Sequence, residues 1–111
     1  MRLWISLATL ILGAVTVVSL PANSGDAKAG KAVYAAKCKT CHGDKGEGNA
    51  ALAKISKVTL RDLGSKEVQS KSDDKLKKDL TEGVGKMLPV KGLTNQQLAD
   101  VIAFLRSLKK S

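Results

Sequence analysis

The sequence predicts an all-α fold in one small domain. Apolar residues recur at helical spacing, glycine-rich turns separate the periodic stretches, and no run alternates as a half-buried strand would. Length sets the scale: 111 residues leave room for one compact unit and exclude a multidomain enzyme. The chain carries 19 basic and 10 acidic side chains, a formal charge of +9.

The first segment differs in composition from the rest. Arg2 is the only charged residue among the first 24, and a nearly unbroken apolar run from Leu3 to Leu20 follows it. Small residues around Ala22, Asn23 and Ser24 then make residues 1–24 read as a secretory signal, with Ala22-x-Ser24 as the cleavage pattern. A retained anchor is the competing reading, since an apolar run of this length is near the lower limit for a membrane-crossing helix. Both readings place the rest of the chain outside the cytoplasm.

Residues 25–111 form the exported domain, with 18 basic against 10 acidic side chains. A domain this small buries only about 60% of its unfolded surface, so its core needs a supplement. Asp26 is the expected N-cap of a first helix that runs toward Ala36, carries Gly30, Val33 and Tyr34, and delivers the chain to Cys38. Gly43-Asp44-Lys45-Gly46-Glu47-Gly48-Asn49 reads as a flexible surface loop, because its glycines lack the spacing and Lys-Ser/Thr ending of a phosphate loop. Ser65 to Gln69 is a short helical piece. Ser72 opens the next helix, with Leu76, Leu80 and Val84 on one face and Lys75, Lys77, Lys78 and Asp79 as solvated surface.

The last element has the clearest pattern. Thr94 and Gln97 make a capping box, and Leu98, Val101, Ile102, Leu105 and Leu108 follow at helical spacing. Phe104 widens that stripe, and Lys109 and Lys110 suit the negative end of the helix dipole.

The chemistry concentrates in Cys38-Lys39-Thr40-Cys41-His42, where the only histidine of the chain directly follows the second cysteine. C-x-x-C-H is the attachment pattern of c-type haem. On one helical turn both sulfurs project from the same side and can each add to a vinyl group of one haem, while the next residue points at the iron. Three other readings fit less well. A thioredoxin-like pair sits after a strand, a structural zinc site needs four ligands of a type of which this chain has three, and a local disulfide leaves His42 unexplained.

With His42 on one side of the iron, the opposite side decides between electron transfer and ligand chemistry. Of the two methionines, Met1 lies in the leader, so Met87 is the candidate sixth ligand, in an irregular segment between Gly83-Val84-Gly85-Lys86 and Leu88-Pro89. The alternative for Met87 is a gap-filling core residue.

These residues together resemble the class I cytochromes c of small, exported, bacterial type, over the whole of residues 25–111. Gly30 and Tyr34 stand before Cys38 as in the family's N-terminal helix, and Val101-Ile102-Ala103-Phe104-Leu105 resembles its C-terminal helix. The resemblance implies an all-α cytochrome c fold in which these two helices cross at Gly30 with an aromatic from each nearby. It also implies one covalent haem c on Cys38 and Cys41, with His42 and Met87 as axial ligands. The family's proline after the motif, whose carbonyl receives the histidine Nδ1 hydrogen, is replaced by Ala50, whose own carbonyl can serve. Arg61 is the candidate for a haem propionate.

The expected role is a carrier of single electrons rather than an enzyme. Leu52, Leu76, Leu80 and Leu88 would bury the iron, and Lys37, Lys39, Lys86 and Lys91 would ring the haem edge and steer an acidic, transient redox partner. Nucleic acid is not an expected partner, since basicity comes without aromatic interleaving or a binding motif. A membrane contact is expected only if the leader is retained. Two alternatives stay open: a ligand-binding or sensor protein with a displaceable sixth ligand, and a fixed electron-transfer subunit of a larger complex.

Overall fold

The computed structural model describes residues 13–17 and 25–110, so the expected leader and its cleavage pattern at Ala22-x-Ser24 lie outside the described residues. Among the described residues six helices follow in order: α1 Ala27–Lys37, α2 Lys39–His42, α3 Ala50–Ser56, α4 Lys66–Gln69, α5 Asp73–Glu82 and α6 Asn95–Ser107. Among the described residues the only extended pairing is an isolated bridge between Val84 and Met87.

The helices begin where side-chain oxygens are available to cap them. Asp26 accepts from the Lys28 N–H at 2.9 Å, Ser65 from Val68 at 3.4 Å and Ser72 from Lys75 at 3.1 Å. At α6 the capping box is complete: the Gln97 N–H donates to Thr94 Oγ1 at 3.1 Å, and the Thr94 N–H donates to Gln97 Oε1 at 2.9 Å.

α1 and α6 cross with their backbones in contact, and glycine makes that possible. A Cβ on Gly30 would lie 1.8 Å from the Asp100 carbonyl oxygen, and one on Gly25 would lie 1.9 Å from that of Ala99. Just beyond the crossing, the rings of Tyr34 and Phe104 meet at 4.9 Å between centroids, tilted by 51°. The expected crossing at Gly30 is therefore present, and its nearest neighbour is the Asp100 carbonyl rather than a side chain. Val101 is wholly buried there, contributing on the order of 2 kcal/mol by removal from water.

Leu76 and Leu80 of α5 and Val68 of α4 complete the core with Leu98, Ile102 and Leu105 of α6. Arg106 ties these layers together. Its Nη1 donates to the Gln69 carbonyl at 2.8 Å and its Nη2 to the Lys71 carbonyl at 2.6 Å and to Asp73 Oδ1 at 2.8 Å.

Two expectations change and one helix is added. Val84 is not on α5: Gly83 adopts a φ of 81°, which ends the helix at Glu82 and leaves Val84 45% exposed. Asp79 is not solvated surface but buried, holding Lys75 Nζ at 2.6 Å and Lys71 Nζ at 3.0 Å. The stretch after the Gly43–Asn49 loop is helical, and α3 had no counterpart in the sequence reading.

Candidate functional site

Cys38, Cys41 and His42 occupy one continuous turn, as their spacing requires. Cys38 closes α1 through its N–H to the Tyr34 carbonyl at 2.8 Å, and its own carbonyl accepts from His42 at 2.9 Å at the start of α2. Both cysteines are free thiols, Cys38 buried in the core and Cys41 exposed. Burial pushes the Cys38 thiol up, with the neighbouring Cys41 adding to the effect.

His42 is half-buried, and desolvation holds its imidazole below the usual pKa, which favours the neutral form that binds metals. Its Nδ1 is buried without a hydrogen-bond partner among the described residues. The carbonyl of Ala50 does not serve it: Ala50 opens α3, and helical carbonyls point along the helix axis toward their own partners.

The main chain around His42 is, by contrast, fully engaged. The Tyr34 hydroxyl donates to the Gly43 carbonyl at 2.6 Å, and burial, the largest of several causes, pushes that hydroxyl up to about 12. The Gly48 N–H donates to the His42 carbonyl at 2.7 Å and the Asn49 N–H to that of Cys41 at 2.9 Å. The Gly43–Asn49 loop is thus folded back on α2 rather than free. Sequence reading missed Asn49, although an asparagine ahead of Ala50-Ala51-Leu52-Ala53 is a cap-then-helix signal.

Met87 sits apart in sequence but against the same core that includes Cys38. It closes a two-residue hairpin: the Val84 N–H donates to the Met87 carbonyl at 3.1 Å and the Met87 N–H returns to Val84 at 2.9 Å. Gly85, at the first turn position with a φ of 57°, matches the glycine-first pattern of a type II′ turn. The Val90 N–H then donates to the Leu80 carbonyl at 2.8 Å, anchoring the hairpin to α5.

Of the other expected groups, Leu76 and Leu80 are buried, Leu52 is half-buried and Leu88 is 81% exposed. Ile55 is likewise exposed, at 79%. Arg61 pairs with Glu67, which leaves its guanidinium engaged on the surface. Lys37, Lys39, Lys86 and Lys91 are all exposed, but Lys39 is paired with Asp44 at 2.9 Å.

This donor set fits a covalently attached haem. Two unpaired thiols share a turn with a half-buried imidazole whose buried Nδ1 has no partner among the described residues, a half-buried thioether lies on an anchored hairpin, and Leu88 and Ile55 stand exposed.

Comparison with known proteins agrees. The family model described as Cytochrome c matches residues 27–109. The chain is 35% identical over 94 residues to cytochrome c-554(547) of Halothiobacillus neapolitanus, spanning 78% of this chain and all of that protein. Among solved structures it is similar to the KustC0563 c-type cytochrome, with a TM-score of 0.63 and 28% identity over 73% of this chain and 98% of that one. The crossing at Gly30, the C-x-x-C-H turn and these matches make the chain a member of the cytochrome c family, a class I c-type cytochrome built for haem-based electron transfer on covalently bound haem c.

Proposed function

We propose that this protein carries single electrons between redox partners outside the cytoplasm, on one haem held by thioether bonds to Cys38 and Cys41 and ligated by His42 and Met87. The observation that carries the reading is the turn from Cys38 to His42, which presents two free thiols and a half-buried imidazole in five consecutive residues. When bound, the haem supplies a one-electron ferrous–ferric couple, and histidine with methionine shifts it toward a high potential.

The chain's own residues do the rest. Cys38 and Cys41 prevent loss of the group, His42 offers a neutral nitrogen, and the hairpin from Gly83 to Val90 holds the Met87 thioether against the core. That anchoring favours a filled sixth position over a displaceable one, and therefore a carrier over a gas sensor. Residues 1–24 would export the chain and be removed, leaving residues 25–111 as the working domain. Exposed Lys37, Lys86 and Lys91, which make no ion pair among the described residues, would greet an acidic partner in a brief, salt-sensitive encounter.

A visible spectrum of the purified protein tests this reading. Sharp reduced bands unchanged by carbon monoxide are expected. Met87→Ala should keep the haem attached, lose the weak red absorption of iron–sulfur ligation and begin to bind carbon monoxide. A red band that survives the substitution rules out Met87 as the ligand.

A further inference from the structure

Four helices in this chain start on the same device, a side-chain oxygen that accepts the N–H three residues further on: Asn49 for Leu52, Ser65 for Val68, Ser72 for Lys75 and Thr94 for Gln97. A hydroxyl suffices at three of them. At α3 the residue is an asparagine, whose side chain carries a donor as well as an acceptor. The acceptor caps Leu52 at 3.1 Å, and the donor, Nδ2–H, reaches back to the Thr40 carbonyl at 3.2 Å.

That second bond completes a set. Asn49 Nδ2, the Asn49 N–H and the Gly48 N–H close the consecutive carbonyls of Thr40, Cys41 and His42. These are the open carbonyls at the end of α2, a four-residue helix too short to sustain itself. Among the described residues the ring of His42 has nothing to aim it, because Nδ1 is buried with no acceptor there, whereas a ligating histidine ordinarily donates that hydrogen to a carbonyl or carboxylate. Its direction must come from the backbone that bears it.

We propose that Asn49 is the positioning residue for His42: it grips the end of α2 with its amide while starting α3 with its carbonyl, and so replaces the hydrogen bond the imidazole lacks. This inference rests on His42 as the iron ligand. It accounts for an asparagine where serine would cap α3 equally well.

Asn49→Ser and Asn49→Ala in the haem-bearing protein separate the two jobs. Serine keeps a capping oxygen for Leu52 but has no donor for Thr40, and both variants keep the main-chain bond to Cys41. Asn49→Ser should therefore unfold within about 3 °C of the parent. Amide exchange at His42 and Gly43 should nonetheless rise about three- to tenfold, the loss of one hydrogen bond. The haem-methyl NMR shifts of the oxidised protein, which follow the plane of the axial imidazole, should move as well. Asn49→Ala should show both changes together with a lower unfolding midpoint.

If Asn49→Ser leaves exchange and methyl shifts at parental values, Asn49 only caps α3 and the proposal fails. Faster exchange with unmoved methyl shifts also overturns it, since the turn would then loosen without turning the ring. A parent protein whose spectra show no histidine ligation removes the underlying reading instead, and the exchange result still reports what Asn49 does to the turn.

Discussion

Gly30 shows how much one missing methyl group decides. Alanine is the better helix former by about 1 kcal/mol, so Gly30→Ala should stabilise α1 if the helix stood alone. In the folded protein the added Cβ would meet the Asp100 carbonyl oxygen at 1.8 Å and the Val101 nitrogen at 2.9 Å, and backbone cannot rotate away. Overpacking of this kind costs about 3 kcal/mol, so the sign reverses. Urea unfolding of Gly30→Ala should show a clearly lower midpoint with an unchanged slope; a midpoint at or above the parent would mean that the helices do not cross as described. At this scale the sequence was legible wherever chemistry is local. Cys38, Cys41 and His42 are neighbours in the chain, so their shared turn could be read from spacing alone. The reach of Asn49 Nδ2 to the Thr40 carbonyl and of Arg106 to the Gln69 and Lys71 carbonyls was not legible, because a main-chain carbonyl carries no residue identity. The Arg61–Glu67 pair escaped for a related reason: a propionate and a glutamate ask the same thing of a guanidinium.

Among the elements, α5 behaves differently from its sequence pattern. Its charged residues look uniformly solvated, yet Asp79 is buried at the end of two lysines that approach from different places, Lys75 one turn earlier and Lys71 from the segment before the helix. The hydrogen bond from Lys75 first, opposed by burial and reinforced by the hydrogen bond from Lys71 and the charges of both lysines, holds its carboxyl below the usual range. A carboxyl that binds its proton less readily folded than unfolded adds stability above about pH 4, and this is lost as pH falls through its lowered folded value. Asp79→Asn should therefore cost roughly 1 kcal/mol at pH 7 and nearly nothing at pH 2. Denaturation midpoints of parent and variant at the two pH values check this, and an equal gap at both would show that the side chain matters for shape rather than charge. Capped helices were readable from Asp26, Ser65, Ser72 and Thr94, because a cap followed by an apolar stripe is a local signal. α3 lacked the stripe: none of its residues is buried and Ile55 points outward, so periodicity had nothing to find. The overreach at Val84 has the converse cause, since its spacing continued the pattern after Gly83 had already turned the backbone.

For the whole molecule, a charge of +9 on 111 residues is an argument about encounters, not about the fold. What matters is where that charge is free to act. Lys71, Lys75 and Lys110 are spent on Asp79 and Asp62, and Lys39 on Asp44, whereas Lys86 and Lys91 flank Met87 in sequence without an ion pair among the described residues. If the partner meets the molecule on the Met87 side, the rate of electron transfer to an acidic redox protein should fall at least about tenfold as salt rises from about 0.01 to 0.15 M, where the Debye length shrinks from about 30 to 8 Å. Lys86→Glu should then slow the low-salt rate and flatten its salt dependence. Lys109→Glu makes the same change in net charge beyond the end of α6, beside Gly64 and Ser65, and serves as the control. Stopped-flow rates for the two variants across that salt range separate the possibilities. Steering localised near Met87 predicts a large effect from Lys86 and a small one from Lys109, while equal effects would mean that net charge alone draws the partner in and that the hairpin carries no docking role.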